Sequence, residues 1–135
     1  MTPAEVATGY LGAFASGDPD EIAGWVTDDF VNEHTAALGT GCEGRDAYRE
    51  RLPGFLSTFE GVRYDVDDIV SEGDRAVAAY TMRADFQETP IVIRGVQRLE
   101  VRGDKIAHRI DYWDSLQFIL QADPTVRSQL EHWLR

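Results

Sequence analysis

Two short stretches near the end of the chain carry the residues best suited to acid–base chemistry. One is Tyr80-Thr81-Met82-Arg83-Ala84-Asp85-Phe86. The other is His108-Arg109-Ile110-Asp111-Tyr112-Trp113-Asp114. Residues two apart on a strand share a face, so Arg83 and Asp85 point the same way. If Asp111 enters the same cavity from a neighbouring strand, a guanidinium lies between two carboxyl groups. Such an arrangement can hold one carboxyl protonated and the other ionised at neutral pH, as acid–base catalysis requires. The rival reading of Arg83 and Asp85 is a solvated ion pair, because charged side chains are mostly exposed. Local alternation is on the rival's side: Tyr80, Met82, Ala84 and Phe86 make the opposite face the more apolar one. For Asp111 the rival role is a strand-end hydrogen bond that steadies the next loop.

The elements that must position these groups are legible as periodic segments. Thr2-Pro3 starts a helix whose apolar residues, Val6, Tyr10, Leu11 and Phe14, recur at helical spacing. Ser16-Gly17-Asp18-Pro19 ends it and opens a second helix, with Asp18 as N-cap and Ile22, Trp25 and Val26 as its stripe. Residues 30–35 predict a short strand with Phe30, Asn32 and His34 on one face and Val31, Glu33 and Thr35 on the other. A loop with Gly39, Gly41 and Gly44 leads to a third helix over 46–59. Pro53 predicts a kink or an early break in it. Residues 62–70, 75–86, 91–102 and 105–114 are rich in β-branched and aromatic types, and their short connections predict antiparallel hairpins. Residues 115–135 read as one or two helices interrupted near Asp123-Pro124, with Asp114 as the cap. This order predicts an α+β fold: N-terminal helices cover one face of a strongly bent antiparallel sheet and close a cone with an apolar interior. Val96, Ile110 and Tyr112 lie on the other face, which predicts a homodimer.

Composition narrows the classes. A chain of 135 residues predicts one domain over 1–135. The net charge of -11 repels phosphate backbones and anionic lipid, so nucleic acid and membranes are poor partners. The single cysteine, Cys42, excludes an internal disulfide and fits a cytoplasmic location. His34, His108 and His132 lack ligand spacing, so neither a metal nor a cofactor is expected. The start has no signal-peptide pattern, and no apolar run is long enough for a bilayer. Glu33 points away from Asn32 and His34 and reads as non-catalytic. Arg45 reads as a structural helix-start residue. Trp25, Phe30 and Trp113 read as core or pocket wall.

The layout resembles the nuclear transport factor 2-like superfamily, which also holds the SnoaL-like cyclases and ketosteroid isomerase. The ending Gly103-Asp104-Lys105-Ile106 followed by Asp111-Tyr112-Trp113-Asp114 is similar to a signature common there. Arg83, Asp85 and the Asp111-Tyr112-Trp113-Asp114 motif resemble the limonene epoxide hydrolase branch more closely. That resemblance implies a cofactor-independent hydrolase adding water to a small lipophilic epoxide in one step. Asp111 would deprotonate the water, Asp85 would protonate the epoxide oxygen, and Arg83 would bridge them. The branch holds its water with a tyrosine and an asparagine two apart on the first short strand. Asn32 and His34 stand at those positions, and both can donate and accept. The branch's proline-rich segment is replaced by Ala36-Ala37-Leu38-Gly39. Two other readings stay open. One is a cyclase or isomerase in which Asp111 alone moves a proton on carbon. The other is a non-catalytic cone that binds a lipophilic molecule.

Overall fold

The computed structural model describes residues 1–134. α1 (Pro3–Ala13) starts at a capping box. Thr2 Oγ1 accepts from the Glu5 N–H and the Glu5 carboxylate accepts from the Thr2 N–H, each at 3.1 Å. Val6, Ala7, Tyr10 and Leu11 form its buried stripe. A 3₁₀ turn over Phe14–Ser16 ends at Gly17, whose φ of 67° only glycine adopts freely. Asp18 then caps α2 (Pro19–Ala23), as its place before proline predicts. β1 (Val26–His34), the two-residue β2 (Cys42–Glu43) and α3 (Arg45–Thr58) follow. The long strands are β3 (Glu60–Glu72), β4 (Arg75–Phe86), β5 (Thr89–Arg102) and β6 (Lys105–Trp113). α4 (Ser115–Ala122), α5 (Pro124–Gln129) and a 3₁₀ turn (Glu131–Trp133) complete the order. This is the expected α+β architecture. The early break at Pro53 does not occur, because α3 runs through it to Thr58. Pro53 lies on the exposed side, where water can take up the carbonyl left without a partner.

The six strands run in the order β2-β1-β6-β5-β4-β3. β3 to β6 are successive antiparallel hairpins, as their short connections predict. β1 then joins the far side of β6 in parallel, which sets His34 opposite Asp111. On β4 the even positions, Ala76, Ala78, Tyr80, Met82 and Ala84, are buried against the helices. The odd positions Arg75, Val77 and Asp85 are exposed.

β6 pairs with β5 only from Gly95 onward, which leaves the first part of β5 as an open edge. α4 covers that edge with glutamines. Gln121 accepts from the Val92 N–H at 2.8 Å and donates to the Val92 carbonyl at 2.7 Å, as a paired strand residue would. Gln117 accepts from the Arg94 N–H at 2.8 Å. Asp114 caps the helix through the Leu116 N–H, so α4 is fixed at both ends over the mouth of the cone.

Candidate active site

Inside the cone lies a cavity of about 280 Å³. α3 contributes Phe55 and its C-cap Phe59, the sheet Met82, Ile93 and Trp113, and α4 Phe118. Its polar residues are His34, Tyr64, Tyr80, Arg109 and Asp111, with Thr40 and Arg51 at the rim. Among the described residues, Asp111 is the one carboxylate in this lining.

Asp111 is 3% exposed and held by its neighbours. Arg109, two residues earlier on the same strand face, donates from Nη2 to Oδ2 at 2.9 Å. The Tyr80 hydroxyl donates to Oδ1 at 2.7 Å from β4. Gln97, directly opposite on β5, reaches Oδ2 from Nε2 at 3.5 Å. A carboxylate has about four acceptor positions; Oδ2 has both of its own occupied, so one position on Oδ1 remains for a proton or a ligand. Arg109 is fixed in turn: its Nη1 donates to the Tyr10 hydroxyl at 2.8 Å, and that hydroxyl lies 2.6 Å from the Tyr48 hydroxyl. Burial raises the pKa of Tyr10, Tyr48, Tyr64 and Tyr80, with the Asp111 charge adding at Tyr80, so these hydroxyls stay protonated donors. Gly95 makes room for Tyr80, since a Cβ there would lie 2.5 Å from the tyrosine oxygen.

His34 is the second polar group beside the acid, with Nδ1 4.0 Å from Asp111 Oδ2. This is not an ion pair at neutral pH. Burial, reinforced by the Arg109 charge and outweighing the pull of Asp111, lowers its pKa to about 4. The Trp113 indole N–H, which can only donate, reaches His34 Nδ1 at 3.0 Å. Nδ1 is therefore the acceptor, and the ring proton sits on Nε2. Gly39 lies against this ring so closely that a Cβ would be 2.2 Å from the His34 Cβ.

Asp111, His34 and Trp113 thus meet at one cavity, whereas the expected Arg83–Asp85–Asp111 cluster does not form. Arg83 and Asp85 occupy odd positions of β4 and face the other side of the sheet. Arg83 Nε donates to Asp65 at 3.1 Å, and Arg83 and Asp85 border a separate hollow with Arg63 and Glu60. The cause is the alternation already visible in the sequence: the Tyr80–Met82–Ala84 face buries more apolar surface and takes the inside. Asn32 is buried on β1 but lies outside the cavity lining. Trp25 and Phe30 are not pocket walls either. The Trp25 indole lies over Gly9, and Phe30 packs edge-on against Tyr48 at 4.9 Å. Glu33 pairs with His108 at 2.8 Å on the outer face, and Arg45 holds the Val26 carbonyl and Asp28, both as structural roles. The residues that sequence reasoning passed over are Arg109, Tyr80 and Gln97. Arg109-Ile110-Asp111 repeats the Arg-x-Asp spacing of 83–85, so the signal for Arg109 was present. Three buried polar atoms, Asn32 Oδ1, Gln97 Oε1 and Arg109 Nε, have no protein partner among the described residues.

The model of the SnoaL-like domain matches residues 7–109. No curated protein matches the sequence. Among solved structures, the chain is similar to a hypothetical protein with a ketosteroid isomerase-like fold from Catenulispora acidiphila. That match has a TM-score of 0.80 and 19% identity, covering 90% of this chain and 93% of the other. An LEH-like epoxide hydrolase from M. tuberculosis matches with a TM-score of 0.77 and 17% identity, covering 96% of each chain. IdmH from Streptomyces antibioticus, a candidate polyketide cyclase, matches with a TM-score of 0.77 and 20% identity, covering 90% of this chain and 99% of the other. At these identities the likeness is one of fold.

Proposed function

We propose, from the premise that this chain belongs to the SnoaL-like domain family, that it is a cofactor-independent enzyme moving a proton on carbon, of the cyclase or isomerase kind. One observation carries the reading: a single buried carboxylate, Asp111, faces an aromatic-walled cavity while Arg109 and Tyr80 hold it in place. In this reading the substrate is a lipophilic molecule with an acidic C–H beside a carbonyl. Asp111 takes that proton, and the charge passes to the carbonyl oxygen. Protonated donors in the lining, His34 Nε2–H and the Tyr64 hydroxyl, stabilise the resulting enolate. Asp111 returns the proton at a second carbon, or the enolate attacks a second carbonyl of the same molecule and the proton goes to the new alkoxide. Positioning and acid–base help need no metal.

The experiment is deuterium exchange from D₂O into 2-acetylnaphthalene and related aryl ketones, followed by NMR. Exchange above background is expected for the wild type. Asp111→Asn should slow it by about 10²–10⁴-fold, the usual reach of general acid–base catalysis, and Asp85→Asn should leave it unchanged. Exchange that persists in Asp111→Asn sinks the reading.

One-step epoxide hydrolysis is the second reading. Gln97 Oε1 favours it: this buried acceptor has no protein partner among the described residues, and it sits on the side chain that reaches Asp111, so it suits a water molecule held near the acid. Asp85 has no part in this version: His34 Nε2–H or the Tyr64 hydroxyl would hydrogen-bond the leaving oxygen, which takes the proton that Asp111 removed from the water. A broad panel of aryl and cyclic epoxides yielding no diol removes it. We also propose a homodimer formed through the outer sheet face, where Val77, Val92 and Tyr112 are exposed.

A further inference from the structure

The cavity carries a charge that proton transfer does not use. Arg109 is matched by Asp111 at 2.9 Å. Arg51, the other cation in the lining, has no carboxylate within ion-pair distance among the described residues. Two of its N–H groups donate to the rim carbonyls of Thr40 at 2.7 Å and Gly41 at 2.9 Å. Those carbonyls fix the guanidinium in place without neutralising it, and its remaining N–H groups have no protein partner among the described residues. The rim segment is itself anchored, since the Leu38 N–H donates to Ser115 Oγ at 2.9 Å. The mouth of the cavity is therefore positive on a chain whose net charge is -11. Arg51 and Phe55 stand four residues apart on α3, and Phe59 at its C-cap packs against Phe55 with ring centroids 5.2 Å apart, so the three form one continuous wall. A flat apolar body lying along the phenylalanines brings its end to Arg51.

We infer that Arg51 selects an anionic substrate: an aromatic or polycyclic molecule with a carboxylate or comparably ionised oxygen at the end nearest the rim. This rests on the reading of the cavity as the reactive site and adds its substrate class. Arg51 acts here on binding, and the proton-moving group stays Asp111. The same charge keeps neutral hydrocarbons at a disadvantage, because they leave the guanidinium without an anionic partner.

The test is calorimetric titration of the full chain with sodium 2-naphthoate and with methyl 2-naphthoate, which share a body and differ in charge. The wild type is expected to bind the anion roughly fivefold more tightly at low salt, as a partly exposed charge-assisted contact allows. That preference should shrink as sodium chloride is raised. Arg51→Gln keeps donors for the rim carbonyls but lacks the charge. It should abolish the preference while leaving affinity for the ester unchanged. Equal binding of both ligands to the wild type overturns the inference, as does no binding of either, or a preference that survives in Arg51→Gln. If the variant loses the ester and the anion in equal measure, Arg51 is only a rim anchor and the inference also fails. The readout is affinity, so it stands apart from deuterium exchange: an anion preference with no exchange would leave the substrate class and remove the proton-transfer reading.

Discussion

Asp111 depends on uncharged neighbours as well as on Arg109. Tyr80→Phe removes the donor to Oδ1 and leaves a buried acceptor without its partner, which costs about 1–3 kcal/mol. Urea unfolding should show that loss together with slower exchange. Gly95→Ala should reproduce the slower exchange, because the added methyl displaces the Tyr80 hydroxyl. Unaltered exchange in both variants would show that Asp111 needs no such support. His34 adds a pH dependence whose sign follows from its pKa of about 4 in the fold, set mainly by burial. The unfolded chain's histidine titrates near 6.5. As pH falls from about 6.5 to about 4, the unfolded chain gains a proton that the folded chain refuses. The folded state therefore loses up to about 3 kcal/mol of stability across that window, and none from this group above it. His34→Gln should flatten this part of the stability profile, and an unchanged slope would assign it to other groups.

At the scale of strands, the decisive rule is that a side chain's parity chooses its face. Arg-x-Asp stands at 83–85 on β4 and again at 109–111 on β6, and of these two only the second faces inward. Parity on β4 was readable, because Tyr80, Met82 and Ala84 bury more apolar surface than Val77, Ala79 and Thr81 do. The family resemblance pointed the other way, and burial prevailed. The helix caps at Thr2, Asp18 and Asp114 were equally readable, since capping is a local property. The turn between β4 and β5 carries a local cost. Gln87 and Glu88 have φ of 48° and 69°, a left-handed conformation disfavoured for residues with a Cβ. Replacing the pair by Asn-Gly should stabilise the fold by about 1 kcal/mol. Thermal melts would check this, and an unchanged midpoint would mean that the turn is not strained.

For the molecule as a whole, the outer sheet face and the inner cavity demand different partners. Val96 and Ile110 sit at the centre of the outer face, opposite Tyr112 and Arg98 in the strand register. If that face pairs with a second copy, Val96→Lys with Ile110→Lys should convert a dimer to a monomer in analytical ultracentrifugation, while a wild-type monomer would remove the dimer outright. The sequence alone determined the helix starts, the four-strand meander, the inward parity of β4 and the acidic surface. Each of these follows from residue types within a few positions of one another. What only tertiary structure decided is which groups meet at Asp111. The parallel pairing of β1 with β6 brings together His34 and Asp111, 77 residues apart in the chain. The packing of α1 and α3 places Tyr10 and Tyr48 against Arg109. No local periodicity encodes a contact between segments so distant, because its energy comes from burying their faces against each other and not from either segment alone.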